Sequence, residues 1–364
     1  MLQLLSEDGT YGVEKGYEKY GKIIDSLDET MLRTFYRDMA RIRRFDQEAI
    51  ALQRQGQLGL WVPAIGQEAA QIGSGYAVGQ NDHIFPSYRE HGVAITHGVE
   101  LMSILKMMRG VNHGGWNPEE TRFHLYAIVL GSQVLHAVGY AMGVKLDGKV
   151  GTGDLENDLA VISYFGDGAT AEGDVSESLL FAAVNHAPIV FFIQNNQWAI
   201  SANIESQTKV PLYRRGEGFG VPGLRVDGND VLACYAATKI HMDAAREGEG
   251  PHLIEALTYR IGAHTTSDDP TKYRDESEVE YWRQRDPIQR FETFLRRQGV
   301  EDDFFEEVAA AGDELARDIR EQTFALQKPP LEDIFNNVYS SDHPEIDRQR
   351  AWLRAYEDQM GEHE

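Results

Sequence analysis

The tract Gly166-Asp167-Gly168-Ala169, followed after one helix length by Asn195-Asn196, holds residue types that bind a cation and a phosphate together. Gly166 permits a tight turn, and Asp167 presents a carboxylate there. Gly168 and Ala169 would expose backbone N–H groups at the start of a helix, where unpaired donors and the helix dipole favour a phosphate. Asn196 adds a neutral oxygen that converges with Asp167 if both residues lie at the carboxyl ends of neighbouring strands. Oxygen donors beside a diphosphate suit Mg²⁺, which keeps octahedral geometry and takes few protein ligands. GDG alone is a common strand-to-helix turn. GDG, a helix and then NN at one βαβ spacing is far more specific.

Other residues have the right chemistry but weaker signals. Arg89, beside Tyr88 in PSYREHG, has a planar fork that can engage two phosphate oxygens. His113 in RGVNHGGW and His264 in GAHTTSDD are candidates to hold a carboxylate or move a proton, because an imidazole titrates near neutrality. Taken singly, each is more often an ordinary surface or core residue.

These groups need a scaffold, and the hydrophobic pattern supplies one. Leu159 to Phe165 is a near-continuous apolar run ending at Gly166, as a buried parallel strand should be. Helical spacing follows through Val175, Leu179, Leu180, Ala183 and Val184, and Ile189 to Ile193 predicts a second buried strand. A helix over Val231–Arg246 leads to a third strand over His252–Tyr259. This alternation predicts an α/β fold with a parallel sheet flanked by helices. Upstream, Met31, Leu32, Phe35, Met39, Ile42 and Phe45 repeat at helical spacing, capped by Asp28 or Ser26 and stopped by Gly56 and Gly59. A second helical segment begins within 63–74. The expected organisation is an extended arm over 1–27, an α/β domain over 28–300 and a helical region over 301–364. The polar stretch 262–275 is expected to be a long surface loop.

Composition excludes several classes. The net charge of −23 disfavours a nucleic-acid partner, since phosphate neutralisation needs clustered Lys and Arg. No apolar run approaches the roughly 18–20 residues of a membrane span, and no basic segment followed by an apolar one opens the chain. Cys234 is the only cysteine, which rules out an internal disulfide and fits a reducing cytoplasm; its plain reading is a small residue packed in a helix. No GxGxxG opens a helix after a strand, which disfavours a nicotinamide-binding Rossmann protein.

GDGATAEGD and QNNQWAIS are similar to the thiamine diphosphate motif of the E1 α subunits of 2-oxo acid dehydrogenase complexes, the pyruvate and branched-chain enzymes. LQRQGQLGLWVPAIGQEAAQIGS, FPSYREHG, PGLRVDGND and TYRIGAHTTSDDPTKYR extend the resemblance over roughly residues 30–330. It implies the thiamine diphosphate-binding fold, with helical N- and C-terminal extensions. By the same resemblance Asp167 and Asn196 would hold Mg²⁺ through side chains, and Trp198 through its carbonyl. Gly168 and Ala169 would donate to the diphosphate, and Tyr88 and Arg89 would hold it from a second side. Backbone groups of Ile128 and Leu130 would meet the aminopyrimidine, with the Leu130 side chain supporting the bent cofactor. His113 and His264 would be the active-site histidines, His264 also lying against the cofactor. The activating glutamate would come from a β subunit, so Glu172 is not assigned that role.

The implied activity is oxidative decarboxylation of a 2-oxo acid, of EC 1.2.4 type, with acyl transfer to the lipoyl group of an E2 protein. The implied assembly is an α2β2 heterotetramer in the cytoplasm. A branched-chain acid such as 3-methyl-2-oxobutanoate is slightly favoured over pyruvate. Acetoin dehydrogenase α and a non-catalytic scaffold of the same fold are the alternatives. Gln194 stands where some branched-chain relatives carry Arg, which removes one phosphate contact. Thr265 stands where animal relatives carry a phosphorylated serine, so no kinase control is inferred.

Overall fold

The computed structural model describes residues 1–364 except 113, 155, 156 and 362–364. The strands are β1 (His83–Phe85), β2 (Val161–Gly166), β3 (Ile189–Asn195), β4 (Trp198–Ala199), β5 (Ala202–Asn203), β6 (Gly223–Asp227) and β7 (His252–Leu257). Five of them form one parallel sheet in the order β1-β2-β3-β7-β6, while β4 and β5 make a small antiparallel hairpin.

Side-chain alternation along the central strands explains why both faces of the sheet are covered. Ile162, Tyr164, Val190, Phe192, Ile254 and Ala256 point to one face, into a core shared with the helices Glu29–Arg54, Glu68–Ala77 and Val231–Arg246. Val161, Phe165, Phe191 and Ile193 point to the other, against the helices Ser132–Leu146 and Gly173–Asn185. Strands buried on both sides read as continuous apolar runs. The helix Asp302–Ala325 lies along Glu29–Arg54, where Phe304 and Phe305 pack on Tyr36.

The expected elements are present with shifted ends. Asp28 caps the first long helix, its Oδ1 accepting from Met31 N at 2.8 Å. The segment 63–74 becomes helical only at Glu68, because the chain first turns at Ile65 and Gly66, with Gly66 left-handed at φ 98° and Gln67 N donating to Ala64 O at 2.9 Å. Cys234 is buried in its helix.

The N-terminal arm is a correction. It is not simply extended: Glu18–Asp25 is helical, and Leu2, Leu4 and Leu5 are buried. Leu2 pairs with Val226 at the open edge of β6, and the Asp230 carboxylate accepts from Leu4 N and Leu5 N, each at 2.7 Å. An edge strand with unpaired donors and acceptors recruits such a partner. β1 and β6 were not expected as strands. β1 has three residues, and β6 is interrupted by Arg225 and bounded by glycines, so neither shows an apolar run.

Candidate active site

β2 and β3 run side by side with Gly166 opposite Gln194, so Asp167 and Asn196 emerge one and two residues beyond that pair at the same end of the sheet. Ligands of open α/β sheets bind at the carboxyl ends of the strands. A cleft of about 780 Å³, open to solvent, lies there. Asp167, Gly168, Ala169, Asn196 and Trp198 line it, and Tyr88, Arg89, Leu130 and His264 complete its walls.

The GDGA turn differs from expectation in one respect. Residues Asp167–Ala171 form a 3₁₀ turn, and the α-helix begins only at Gly173. The backbone N–H groups of Gly168 and Ala169 therefore belong to this tighter turn. A Cβ at Gly168 would come within 2.7 Å of Ala199 Cβ, so the β4–β5 hairpin closes over the turn only because residue 168 is glycine.

Asp167 is almost fully buried, and burial raises its pKa. Among the described residues no Lys or Arg pairs with it; its side-chain donor is Gln207 Nε2 at 2.9 Å from Oδ2. A buried carboxylate that lacks a counter-charge is costly, and a bound cation would relieve it. Asn196 Nδ2 donates to Gln67 Oε1 at 3.2 Å, and its Oδ1 accepts from Trp198 N at 3.2 Å. Asn195 turns away and donates to the buried Glu255 at 2.7 Å, so only one Asn of the pair faces the cleft. The Trp198 carbonyl accepts from Arg260 Nη1 at 2.8 Å, which leaves one lone pair for a cation.

Arg89 forms the opposite wall. Its guanidinium is buried and donates to Pro63 O and to His264, at 3.0 Å to O and 3.2 Å to Nδ1. No carboxylate pairs with it among the described residues, which suits a site that awaits an anion. Because Arg only donates, His264 Nδ1 must accept, so the ring proton sits on Nε2. Burial, then the charges of Arg89 and Arg260, lower the His264 pKa to about 4. The expected near-neutral titration is thus corrected: in this state His264 is a neutral donor, held edge-on to Tyr88 at 6.2 Å.

The polar loop after β7 is tied down. Asp268 Oδ2 accepts from His264 N at 2.8 Å and from Tyr273, while Arg260 Nη2 donates to Tyr273 Oη at 3.0 Å. Arg260 Nη2 also donates to Ile200 O at 2.7 Å. Ile200 has φ 52°, a strained backbone for a β-branched residue, and Arg260 holds it there.

Two expectations fare differently. Leu130 lines the cleft, but Ile128 does not, and its side chain is 69% exposed, as is that of Val129 at 71%. A short unpaired loop before the helix Ser132–Leu146 turns these side chains outward. His113 lies outside the described residues. Sequence reasoning missed three glutamines: Gln67 and Gln133 line the cleft with buried Nε2 and Oε1 atoms that lack a partner, and Gln207 holds Asp167. Amides do not titrate and occur everywhere, so nothing in composition or spacing marks them.

Residues 36–332 match the family described as "Dehydrogenase E1 component". The chain belongs to that family. It is 42% identical to the 3-methyl-2-oxobutanoate dehydrogenase subunit alpha of Mycobacterium tuberculosis (strain ATCC 25618 / H37Rv), over 97% of this chain and 93% of the relative. It is 40% identical to the pyruvate dehydrogenase E1 component subunit alpha of Staphylococcus aureus (strain N315), over 82% of this chain and 78% of the relative. Among the described residues of this E1-family chain, no helix is long and apolar enough to cross a membrane.

Proposed function

We propose that this chain is the α subunit of a 2-oxo acid dehydrogenase E1, binding thiamine diphosphate with Mg²⁺ and acting on a branched-chain 2-oxo acid. The observation that carries the reading is a buried Asp167 facing a buried Arg89 across one cleft, each without an ion-pair partner among the described residues. A cation and a diphosphate would satisfy both. The residues present fit the group. Asp167 Oδ, Asn196 Oδ1 and the Trp198 carbonyl are the oxygens available to Mg²⁺, and unpartnered amide atoms of Gln67 and Gln133 await a polar ligand.

When bound, thiamine diphosphate supplies the electron sink for decarboxylation. The protein's own contribution is placement and proton handling. Gly168 and Ala169 offer backbone donors to a phosphate, and Arg89 offers its guanidinium from the far side. His264 presents Nε2–H to the cleft as a neutral donor, able to hold a carboxylate oxygen or polarise a carbonyl. Leu130 gives the wall an apolar support.

A partner subunit is part of this proposal. Leu135, Leu146, Leu180, Phe181 and Val184 are exposed on the outer faces of the two helices beside the cleft, together with Ile128 and Val129. Gly139 and Gly143 on the same helix pair have open space where a side chain would stand. An apolar, small-residue face of this size marks an interface. It supports a β subunit in an α2β2 assembly that delivers acyl groups to a lipoyl-bearing E2. The branched-chain preference is supported by the M. tuberculosis relative, whose match spans more of this chain.

The test is 2-oxo acid-dependent dye reduction by the chain co-produced with its β subunit. A higher kcat/KM for 3-methyl-2-oxobutanoate than for pyruvate is expected. The reverse order overturns the substrate assignment, and inactivity with both acids overturns the decarboxylase reading.

A further inference from the structure

Gln207 ends the short helix Ile204–Gln207, just after the hairpin that closes over the GDGA turn. Its Nε2 donates to Asp167 Oδ2 at 2.9 Å and to Ala202 O at 3.0 Å. Both partners are pure acceptors, so the amide can be oriented only one way. With Nε2 committed, Oε1 is left on the other side, buried and without a hydrogen-bond donor among the described residues. A buried acceptor with nothing to accept is uncommon and calls for an explanation such as a missing water or ion.

Two consequences follow for the Asp167 carboxylate. One of its two oxygens is engaged by an amide, so it presents a single oxygen. One-oxygen ligation suits a small octahedral cation that retains waters, whereas a larger cation such as Ca²⁺, with roughly six to eight oxygens around it, can use both oxygens of a carboxylate. A cation that retains waters also brings O–H donors close to Asp167, where Gln207 Oε1 lacks one. Residues that hold a metal ligand in this way orient it and tune the site.

We propose that Gln207 is a positioning residue of the cation site. Its amide nitrogen restricts Asp167 to one-oxygen ligation, and its Oε1 accepts from a water bound to the cation. Gln207 thereby selects Mg²⁺ over Ca²⁺. This rests on the thiamine diphosphate–Mg²⁺ reading above.

The experiment is calorimetric titration of Mg²⁺ and of Ca²⁺ into the full-length chain with its partner subunit, in saturating thiamine diphosphate. Wild type, Gln207→Leu and Asp167→Asn are compared, each with its cofactor-free thermal midpoint. Gln207→Leu is expected to move the ratio of affinities toward Ca²⁺ by about tenfold, within the roughly 10–100-fold reach of such partners, with an unchanged midpoint. Gln207→Met is close in length and also removes the amide donor without adding a charge, so it gives the same test if the leucine variant does not fold. An unmoved ratio in both variants, while Asp167→Asn weakens both metals, overturns the role of Gln207 and leaves the cofactor reading standing. Wild-type protein that takes up neither metal with thiamine diphosphate overturns both.

Discussion

A few buried groups decide the chemistry at the scale of single residues. Asp167 and Arg89 are each desolvated, and neither has an ion-pair partner among the described residues, a costly arrangement unless a ligand supplies one. Asp167→Ala should therefore lower Mg²⁺-dependent thiamine diphosphate affinity by more than the roughly 10–100-fold that losing an outer partner costs. Equilibrium binding followed by calorimetry or fluorescence measures this. His264 makes a second prediction. Its pKa is lowered to about 4, so the ring should stay neutral with the proton on Nε2 until the pH falls toward that value. An anion engaging Arg89 would remove one cause of the depression, and the His264 pKa should rise on binding inorganic diphosphate. Long-range ¹H–¹⁵N NMR of histidine-labelled protein reads both tautomer and titration; a protonated ring at pH 7 in the free protein would contradict the geometry.

Short elements around the cleft hold these residues under strain. The β4–β5 hairpin carries Trp198 and the left-handed Ile200, and Arg260 pins both carbonyls from beyond β7. Replacing Ile200 by Gly removes a backbone conformation that costs a β-branched residue about 1–3 kcal/mol. Part of this is offset by the freer unfolded chain. A net gain of about 1 kcal/mol in urea unfolding is expected, along with weaker cofactor binding, because the cleft wall loses a side chain. Arg260→Gln should act in the opposite sense. It removes charged hydrogen bonds worth about 1.5–3 kcal/mol each, and the hairpin should become the first site of limited proteolysis.

Seven histidines influence the whole molecule through pH. Burial lowers His83, His91, His97, His124, His241, His252 and His264 to about 4, against 6.5 when unperturbed. The unfolded chain binds more protons than the fold between those values, so stability is complete above pH 6.5 and is lost as pH falls toward 4. Asp46, Asp82, Glu90, Asp167 and Asp230 oppose this. Burial raises all five, Asp46 to about 7 and Asp230 to about 6, so their contribution falls as pH rises through the folded values. The histidines outnumber them below pH 6.5. Thermal midpoints should fall on acidification from pH 6.5 to 4.5, with an optimum near neutrality; a midpoint that rises over that range would refute the balance. Assembly belongs to the same scale. Val184 is exposed on the apolar face, so Val184→Asp should leave the isolated chain folded, within about 0.5 kcal/mol. The same change should block heterotetramer formation in sedimentation velocity.

Much of the fold and the core of the site are legible in the sequence, because they rest on local chemistry. Leu159 to Phe165 and Ile189 to Ile193 read as buried strands, and Gly166-Asp167-Gly168 after the first reads as a strand-to-helix turn. Those facts set Asp167 and Asn196 at one end of a parallel sheet before any coordinates are known. The rest depends on what meets across the chain. Leu2 joins the sheet because β6 leaves an open edge more than two hundred residues away. Gln207 matters because a hairpin carries it to Asp167, and no pattern of types distinguishes that glutamine from any other. His264 reads as a near-neutral acid until Arg89, from a different loop, donates to its Nδ1. Residue types and periodicity determined which groups could do chemistry and on which elements they stand. Tertiary structure alone decided their charge states, tautomers and supports, because desolvation and hydrogen bonding depend on neighbours that are distant in the chain.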